Sequence, residues 1–345
     1  MYYFFRVKTI IYGETIMSLK KCISLVMVVV IMAGCLCSCA NKNGNHIPHR
    51  FASAEEGREL MLSNNENYYD RFSQNDLDFK MKKTGATMDE YKEYAGKQVI
   101  DFNFWEKNYI DSCIRNMEKA LDKNGYTLPP IDEIVFIKTT MEEEPGASGY
   151  THGTQIYLQS DIITVYSIGH IVPGFDEYFM HLLWHELFHC LTRNNPDFRA
   201  DMYSLIHFTV VDHDFDVPDS VFEYRITNPD VEHHNSYATF IINGEPVDCF
   251  TEYVTTKHYD EAKASFMTCS ETALVPIDGT DISYTPEQAS NFDEVFGKNT
   301  SYVTDPEECM ADNFADAMMY GINGQNNEGY PNPEIIQGII DRLSK

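Results

Sequence analysis

The run Phe179 to Leu191, FMHLLWHELFHCL, constrains the fold more than any other stretch of the chain. It contains no glycine or proline, so it can form one continuous helix, and apolar side chains lie on nearly every side of that helix. A helix of this kind is buried in the protein core. Three ionisable side chains interrupt the hydrocarbon: His185, Glu186 and His189. Burying a carboxylate and two imidazoles costs free energy unless something binds them.

These three residues form the pattern HExxH. Residues four apart on a helix are separated by about 40° around its axis, so His185 and His189 project from one side and can hold one divalent ion. A catalytic zinc ion takes three protein ligands and keeps one position for water. Glu186 would lie beside that water and act as general base. The alternative is a core helix with satisfied histidines, and a third ligand decides between the two.

Two further histidines lie near this run. His181 is one turn before the motif on the same face and is a rival ligand, but its use in place of His189 would leave Glu186 without a role. A role in supporting a ligand or in packing is therefore the better interpretation of His181. His152 lies in the strand-like stretch Ser148 to Leu158 and is interpreted as a solvated or structural histidine.

Composition indicates a globular protein. The chain has 345 residues, of which 43% are hydrophobic and 13% aromatic, enough for a packed core. A formal charge of −27, spread without a long acidic block, argues against nucleic acid as a partner. The cysteines beyond Cys39 are widely spaced, so they are not a disulfide scaffold. Their number is odd, which leaves at least one free thiol, and Cys190 in the buried run is expected to be a core residue.

The N-terminus is typical of a bacterial lipoprotein signal peptide. Two lysines precede the apolar run Ile23 to Leu36, which at about 14 residues is short for a membrane helix of roughly 20. LCSC resembles the lipobox, and we expect residues 1–38 to be removed and Cys39 to be lipidated, with Cys35 as the alternative. Met17, followed by SLKK, is a more natural start than Met1, so residues 1–16 are interpreted as a miscalled extension. The protein would then be lipid-anchored in the cell envelope, periplasmic or surface-exposed.

The remaining chain divides into three predicted parts. Residues 39–51 resemble a tether, residues 52–127 form an N-terminal helical region, and residues 128–345 form the domain that carries HExxH. Helices are predicted there from Ala54 to Leu62, from Met88 to Ala95 and from Phe104 to Leu121. The last contains an apolar stripe at steps of four: Trp105, Tyr109, Cys113, Met117 and Leu121.

The later part mixes strand and helix patterns. Ile134 to Thr139 is a β-rich run, and Ser148 to Leu158 suggests one strand with a bulge or a close backbone approach. A helix is expected from Pro196 to about Phe208. NGE at 243–245 predicts a hairpin turn. Three strand-like pieces follow the helix: Tyr237 to Ile242, Val247 to Val254 and Phe266 to Pro276.

A third ligand is predicted in the last clear apolar helix, DPEECMADNFADAMMYG, which begins at Asp305. Glu308 and Asp312 lie four residues apart on a stripe whose other members are small or apolar. Carboxylates on such a face need a counter-charge, such as a metal ion. The alternative is an ordinary helix start, in which Asp305 is the N-cap and Glu308 its capping-box partner.

HELFH at 185–189 and ECMAD at 308–312 together resemble the gluzincin branch of the zinc metallopeptidases, the relatives of thermolysin. The resemblance covers two motifs. It implies that Zn²⁺ is the cofactor and that its ligands are His185, His189 and Glu308. Glu186 would be the general base, and Asp312 would hydrogen-bond a ligating histidine.

The same resemblance implies an α+β fold with a zincin-like catalytic domain: a small mixed sheet with its edge strand over the cleft, the HExxH helix and C-terminal helices. SGYTHGTQIYL is similar to that edge strand, so Gly149, Tyr150 and Thr151 are predicted to pair with an extended peptide substrate. The gap between the two motifs, from His189 to Glu308, is longer than in many gluzincins. An inserted β-rich segment at 209–276 would account for the extra length. The oxyanion-stabilising residue has three weak candidates: Tyr302, His233 and His234.

The sequence therefore predicts a zinc-dependent lipoprotein peptidase that hydrolyses peptide bonds in a peptide or protein substrate. Two alternatives stay open. A zincin-fold binding lipoprotein would keep the metal ligands without needing Glu186. A structural zinc site would need a fourth protein ligand that closes the coordination shell.

Overall fold

A computed structural model describes residues 44–169, 172 and 174–344. The predicted signal peptide, the start at Met17 and both lipidation candidates, Cys35 and Cys39, lie outside the described residues. Asn45–Lys345 form one compact unit. Within the described ranges, no helix has both the length and the apolar character needed to cross a membrane.

Helices and strands are interspersed along the whole unit. The bounds of α1, Ala54–Leu62, agree with the predicted helix. The other longer helices are α2 Gln74–Met81, α3 Met88–Gly96, α4 Phe104–Asn124, α5 Ser160–Gly169, α6 Glu177–Asn194 and α7 Pro196–Tyr203. They are followed by α8 Asp219–Phe222, α9 Tyr259–Ala262, α10 Phe292–Phe296, α11 Pro306–Tyr320 and α12 Pro333–Leu343.

Two helix predictions need correction. Trp105 is 72% exposed, so the buried stripe of α4 begins at Tyr109 rather than at Trp105. Trp105 is in the first turn of α4, where Asn103 caps the helix in a capping box with Glu106. The helix from Pro196 ends at Tyr203 and continues only as a 3₁₀ turn, Ser204–Ile206.

The first sheet is mixed. It contains β1 His49–Phe51, β2 Val99–Ile100, β3 Ile134–Thr139, β4 Gly149–His152 and β5 Gln155–Gln159, in the order β1-β3-β5-β4, with β2 also paired to β3. β3 is parallel to β1 and β5, whereas β4 is antiparallel to β5 and forms an edge. The β3 bounds agree with the predicted strand.

The sheet changes two predicted boundaries. The predicted tether includes His49–Phe51, but these residues form β1. They pair with β3, and the rings of His49 and Phe51 pack against Phe136. The stretch Ser148 to Leu158 was predicted as one strand, but it is a hairpin. Gly153, with φ +60°, lies in its turn, where a residue with a side chain would be strained.

The second sheet is antiparallel and lies within the predicted β-rich insertion. It contains β6 Thr209–Val210, β7 Ser236–Ile242, β8 Glu245–Thr255 and β9 Ser270–Pro276 in sequential order. The hairpin predicted at NGE is confirmed, since Asn243 and Gly244 both adopt positive φ between β7 and β8. The strand predicted from Phe266 begins only at Ser270, after a 3₁₀ turn at Phe266–Thr268.

A large apolar core joins α4, α6, α11 and α12 to the first sheet and to part of the second. The predicted α+β class is therefore confirmed. All five described cysteines are free thiols, and Cys190 is fully buried as predicted. The close packing of α6 against α11 and β4 brings the three stretches selected from the sequence together.

Candidate metal centre

The two histidines of α6 and one glutamate of α11 converge in the core. Nε2 of His185 lies 3.0 Å from Oε2 of Glu308, and Nε2 of His189 lies 3.7 Å from the same oxygen. Ligand atoms bound to one tetrahedral zinc ion at ordinary bond lengths are separated by about 3.4 Å. The three atoms lie within 4.8 Å of one another, so the cluster has the dimensions of a metal site.

His189 gives an independent test of whether the cluster fits a metal ion. Its side chain is fully buried, and its Nε2 atom has no hydrogen-bond partner in the part of the chain that the structure describes. Buried polar atoms are nearly always paired, so an orphan nitrogen that faces a histidine and a carboxylate indicates a missing partner. A divalent cation is a partner that this donor set fits.

Each imidazole is held on its other nitrogen by a carboxylate. Nδ1 of His185 donates to Oδ1 of Asp312 at 3.0 Å, and Nδ1 of His189 donates to Oε1 of Glu307 at 2.9 Å. Such bonds fix the tautomer that presents Nε2 to a metal. The Asp312 contact is the one that the sequence predicted, whereas Glu307 was missed.

Glu307 and Glu308 diverge because consecutive helical residues point about 100° apart. Oε1 of Glu307 accepts from the hydroxyl of Thr192 at 2.6 Å, and its Oε2 accepts from the hydroxyl of Tyr203. The capping alternative for Glu308 is wrong, because its carboxylate faces His185 and Asn228. Asp305 is the N-cap of α11, as that alternative expected, and accepts a hydrogen bond from the amide of Glu307.

Glu186 is 1% exposed and lies between α6 and the edge strand. The hydroxyl of Thr151 donates to its Oε2 at 2.8 Å. Its other oxygen faces Gly149, where a Cβ would lie only 2.9 Å from Oε1. Burial raises the pKa of Glu186, while His189, His185 and Thr151 oppose that shift. The close backbone approach expected in this stretch therefore occurs at Gly149.

The register of β4 shows which of its backbone groups can meet a ligand. The amide of Gln159 donates to the carbonyl of Ser148, and bonded and unbonded pairs alternate along an antiparallel ladder. Tyr150 therefore pairs with Tyr157 of β5, while Gly149 and Thr151 direct their amides and carbonyls to the open edge. Tyr150 is not available for the pairing that was predicted for it.

An unexpected segment lies against this edge. Oδ1 of Asp230 accepts the Thr151 amide at 2.7 Å and lies 3.9 Å from Nε2 of His189. Glu186, His189 and Asp230 form a second grouping whose atoms could hold a metal ion. The side-chain amide of Asn228 also donates to Oε1 of Glu308. The turn at NPD was visible in the sequence, but nothing linked it to HExxH.

The three oxyanion candidates lie in different environments. The Tyr302 hydroxyl donates to Oε1 of Glu308 at 2.9 Å, and its ring stacks on His185 with centroids 6.1 Å apart. His233 pairs with Asp214 and Glu232, and His234 lies 3.8 Å from Glu252. Only Tyr302 of these three contacts the histidine–glutamate cluster among the described contacts.

The other two histidines considered from the sequence are paired elsewhere. His181 lies 3.4 Å from Asp316, and the buried His152 lies 3.4 Å from Glu66. Neither belongs to the groupings of possible metal ligands found in the described residues. Their contacts agree with the packing and structural roles expected of them.

The electrostatics of the centre favour a cation. Burial raises the pKa of Asp230 well above its usual range, and the nearby carboxylates of Glu186 and Glu308 raise it further. Glu307 has Arg199 within 3.9 Å, but Glu308 has only histidine, amide and hydroxyl neighbours among its described hydrogen bonds and ion pairs. Buried carboxylates are costly unless a positive charge compensates them. A bound cation would supply that charge.

Comparison with known proteins finds no match: no protein-family model, no curated protein and no solved structure. The functional argument therefore depends on the geometry of the centre.

Proposed function

We propose that this chain is a zinc metallopeptidase of the gluzincin type with a zincin-like fold. The observation that carries the proposal is the convergence of His185, His189 and Glu308 around one point, with the carboxylate of Glu186 beside them. Hydrogen bonds to Asp312 and Glu307 support it further, because they orient both imidazoles as metal ligands. The mixed first sheet with its antiparallel edge strand beside α6 is consistent with the zincin-like fold.

The chemistry divides among the residues of the centre. His185, His189 and Glu308 would hold the zinc ion, which would supply Lewis acidity toward the scissile carbonyl and the attacking water. Glu186 accepts a proton from that water and passes it to the leaving amine. Thr151 holds Oε2 of Glu186, and the absence of a side chain at Gly149 leaves room beside Oε1. Tyr302, through its position beside His185, is the candidate for stabilising the developing oxyanion.

The substrate class follows from the edge strand. Gly149 and Thr151 present backbone donors and acceptors on the side of β4 away from β5. An extended peptide can add to such an edge as a further strand, which places its backbone next to Glu186. A peptide or protein is therefore the proposed substrate.

A structural zinc site is the second candidate, and one observation favours it. Oδ1 of Asp230 lies 3.9 Å from Nε2 of His189, the histidine shared by both groupings, and a closed shell of four protein ligands is typical of structural zinc. The presence of Glu186, which a structural site does not require, favours the peptidase.

Metal content tests the proposal. A form lacking residues 1–39 keeps the whole compact unit and should bind one zinc ion per chain, which His185→Ala and Glu308→Gln should lose. His181→Ala is the matched control, because His181 lies on the same helix and pairs with Asp316 instead. Equal zinc content in wild type and His185→Ala would remove the basis of the proposal.

We also propose that the chain is a lipoprotein of the bacterial envelope, held at the membrane by lipid on Cys39. The support is the order of lysines, apolar run and LCSC in the sequence. Labelling cells with a fatty-acid probe should mark the wild type and leave Cys39→Ala unmarked. Label that persists in Cys39→Ala but disappears in Cys35→Ala would move the anchor to Cys35.

A further inference from the structure

One segment of this chain occupies the positions that a peptide substrate needs. Residues 226–232, the closing segment, lie over the metal centre and the edge strand. Asp230, only 6% exposed, is the residue of this segment that reaches both: its carboxylate lies near His189 and Glu186, and it accepts the outward amide of Thr151. A catalytic metal keeps one coordination position open, and strand addition needs a free backbone edge. The Asp230 carboxylate lies beside both, 3.9 Å from Nε2 of His189 and hydrogen-bonded to the Thr151 amide.

We propose that Asp230 is the fourth protein ligand of the resting metal centre, and that the closing segment must move away before a peptide can bind. The inference rests on the proposed metal centre and adds a latent state to it. In that state Asp230 takes the place of the substrate carbonyl and water. Thr151 then gives its edge hydrogen bond to Asp230 rather than to a peptide.

The closing segment is built to aim Asp230 at the centre. The side chain of Asn228 makes two contacts: its amide group donates to Oε1 of Glu308, and its oxygen accepts the Asp230 amide at 2.9 Å. One residue thus connects a proposed metal ligand to the backbone of Asp230. Because both contacts depend on the position of Asn228, the placement of Asp230 is coupled to that of Glu308.

Two arginines hold the closing segment through its backbone carbonyls. Arg193 donates to the Pro229 carbonyl at 3.0 Å, and Arg71 donates to the carbonyls of Val231 and Glu232. The fit is incomplete, since Nε and Nη2 of Arg71 and Nη1 of Arg193 are buried without a hydrogen-bond partner in the described part of the chain. Buried donors without partners cost free energy. The two arginines therefore anchor residues 229–232 while three of their own donors stay unpaired, whereas Ile226 and Thr227 at the start of the segment donate their amides to the Tyr253 carbonyl and to Asp76.

The test measures access to the metal rather than peptide cleavage. The form lacking residues 1–39 is loaded with Co²⁺, whose visible spectrum reports coordination, and titrated with acetohydroxamate. Zinc affinity is measured in parallel by chelator competition. Asp230→Ala removes the proposed ligand, and Asp230→Asn removes its charge but keeps an acceptor for Thr151, so that a folded variant is available. Glu232→Gln, in the same segment, is the matched control because its carboxylate pairs with His233.

The proposal expects at least tenfold tighter hydroxamate binding by the Asp230 variants than by wild type. It also expects zinc affinity to fall by roughly tenfold or more. Tenfold is the lower end of the effects seen for residues that support a metal site. Glu232→Gln should match wild type. Equal hydroxamate binding and equal zinc affinity in wild type, Asp230→Asn and Asp230→Ala would overturn it.

Failure of this inference can be told apart from failure of the proposed function. If His185→Ala binds zinc as wild type does, the metal centre itself is wrong and Asp230 has nothing to ligate. If the Asp230 variants respond as expected while none of the variants cleaves peptides, Asp230 stands as the fourth ligand. The peptidase proposal then gives way to the structural zinc site.

Discussion

Oε1 of Glu307 accepts a hydrogen bond from Nδ1 of His189 at 2.9 Å. The next residue, Glu308, faces the opposite nitrogen of the same ring at 3.7 Å. Two consecutive glutamates thus act on one imidazole, one by orienting it and the other as its proposed neighbour on the metal. This division of roles can be measured.

Glu307→Gln should weaken zinc binding by roughly 10- to 100-fold without abolishing it, because such partners orient a ligand and raise its basicity. A chelator titration measures the change. Glu294→Gln on α10 is a suitable control, since Glu294 is exposed. If Glu307→Gln strips the zinc while Glu308→Gln retains it, Glu307 is the ligand and the assignment is off by one residue.

Asp312→Asn should have a similar effect through the other histidine. Asp312 accepts from Nδ1 of His185 and is itself held by the hydroxyl of Thr300 at 2.5 Å. The asparagine keeps the shape but loses the charge, so zinc affinity should fall by roughly 10- to 100-fold. Hydrolysis should persist in excess zinc. Complete loss of activity in zinc-saturated Asp312→Asn would contradict an orienting role.

Gly149→Ala should reduce turnover while leaving zinc bound. The added Cβ would lie 2.9 Å from Oε1 of Glu186 and 3.2 Å from the Tyr157 carbonyl, so the carboxylate must shift. Displacing a catalytic group by about 1 Å can cost roughly 10²-fold in rate. Steady-state kinetics with parallel metal analysis measure both. Ser148→Ala is the neighbouring control, and equal kcat for Gly149→Ala and wild type would show that Glu186 is not the base.

Glu66 links stability to pH. Burial alone raises its pKa, but Arg193, His152 and the Gly153 amide together lower it from 4.5 to about 2. A carboxyl whose pKa is lowered on folding stabilises the protein above its unfolded pKa, here by about 3 kcal/mol. That contribution is lost as pH falls from about 4.5 toward 2.

Urea unfolding of wild type and Glu66→Gln at several pH values checks this dependence. The difference in unfolding free energy should be largest above about pH 5 and should shrink in more acidic solution. A difference that stays constant from neutral pH down to about pH 3 would show that Glu66 keeps an ordinary pKa in the folded protein.

The parts of the site that depend on helical periodicity could be predicted from the sequence. His185 and His189 lie four residues apart, as do Glu308 and Asp312, so each pair had to share a face wherever its helix packed. The bounds of α1 and β3 were also predictable, because the local sequence pattern and the burial agree in both elements. These features need no knowledge of tertiary contacts.

The parts that failed depend on contacts between distant residues. Asn228 and Asp230 lie in a turn whose sequence does not indicate which part of the protein it packs against. Only its contacts with β4 and α11 bring these residues to the metal centre. Glu307 lies in the first turn of α11, where acidic residues are common, so no local pattern signals its contacts with Thr192 and Tyr203. Trp105 fitted its stripe by spacing, but it lies in the first turn of α4, where it is exposed.

The most direct test of the central claim is cleavage of a mixed peptide library by the zinc-loaded form lacking residues 1–39, compared with Glu186→Gln. Glu186 accepts a hydrogen bond from Thr151, and its proposed partner in the reaction is the attacking water rather than the zinc ion. The variant should therefore keep its zinc and its fold. Removing the proton transfer should lower hydrolysis by roughly 10²- to 10⁴-fold. If neither the zinc-loaded wild type nor zinc-loaded Asp230→Ala, which lacks the proposed closing ligand, cleaves anything that zinc-loaded Glu186→Gln does not, the protein is not a peptidase.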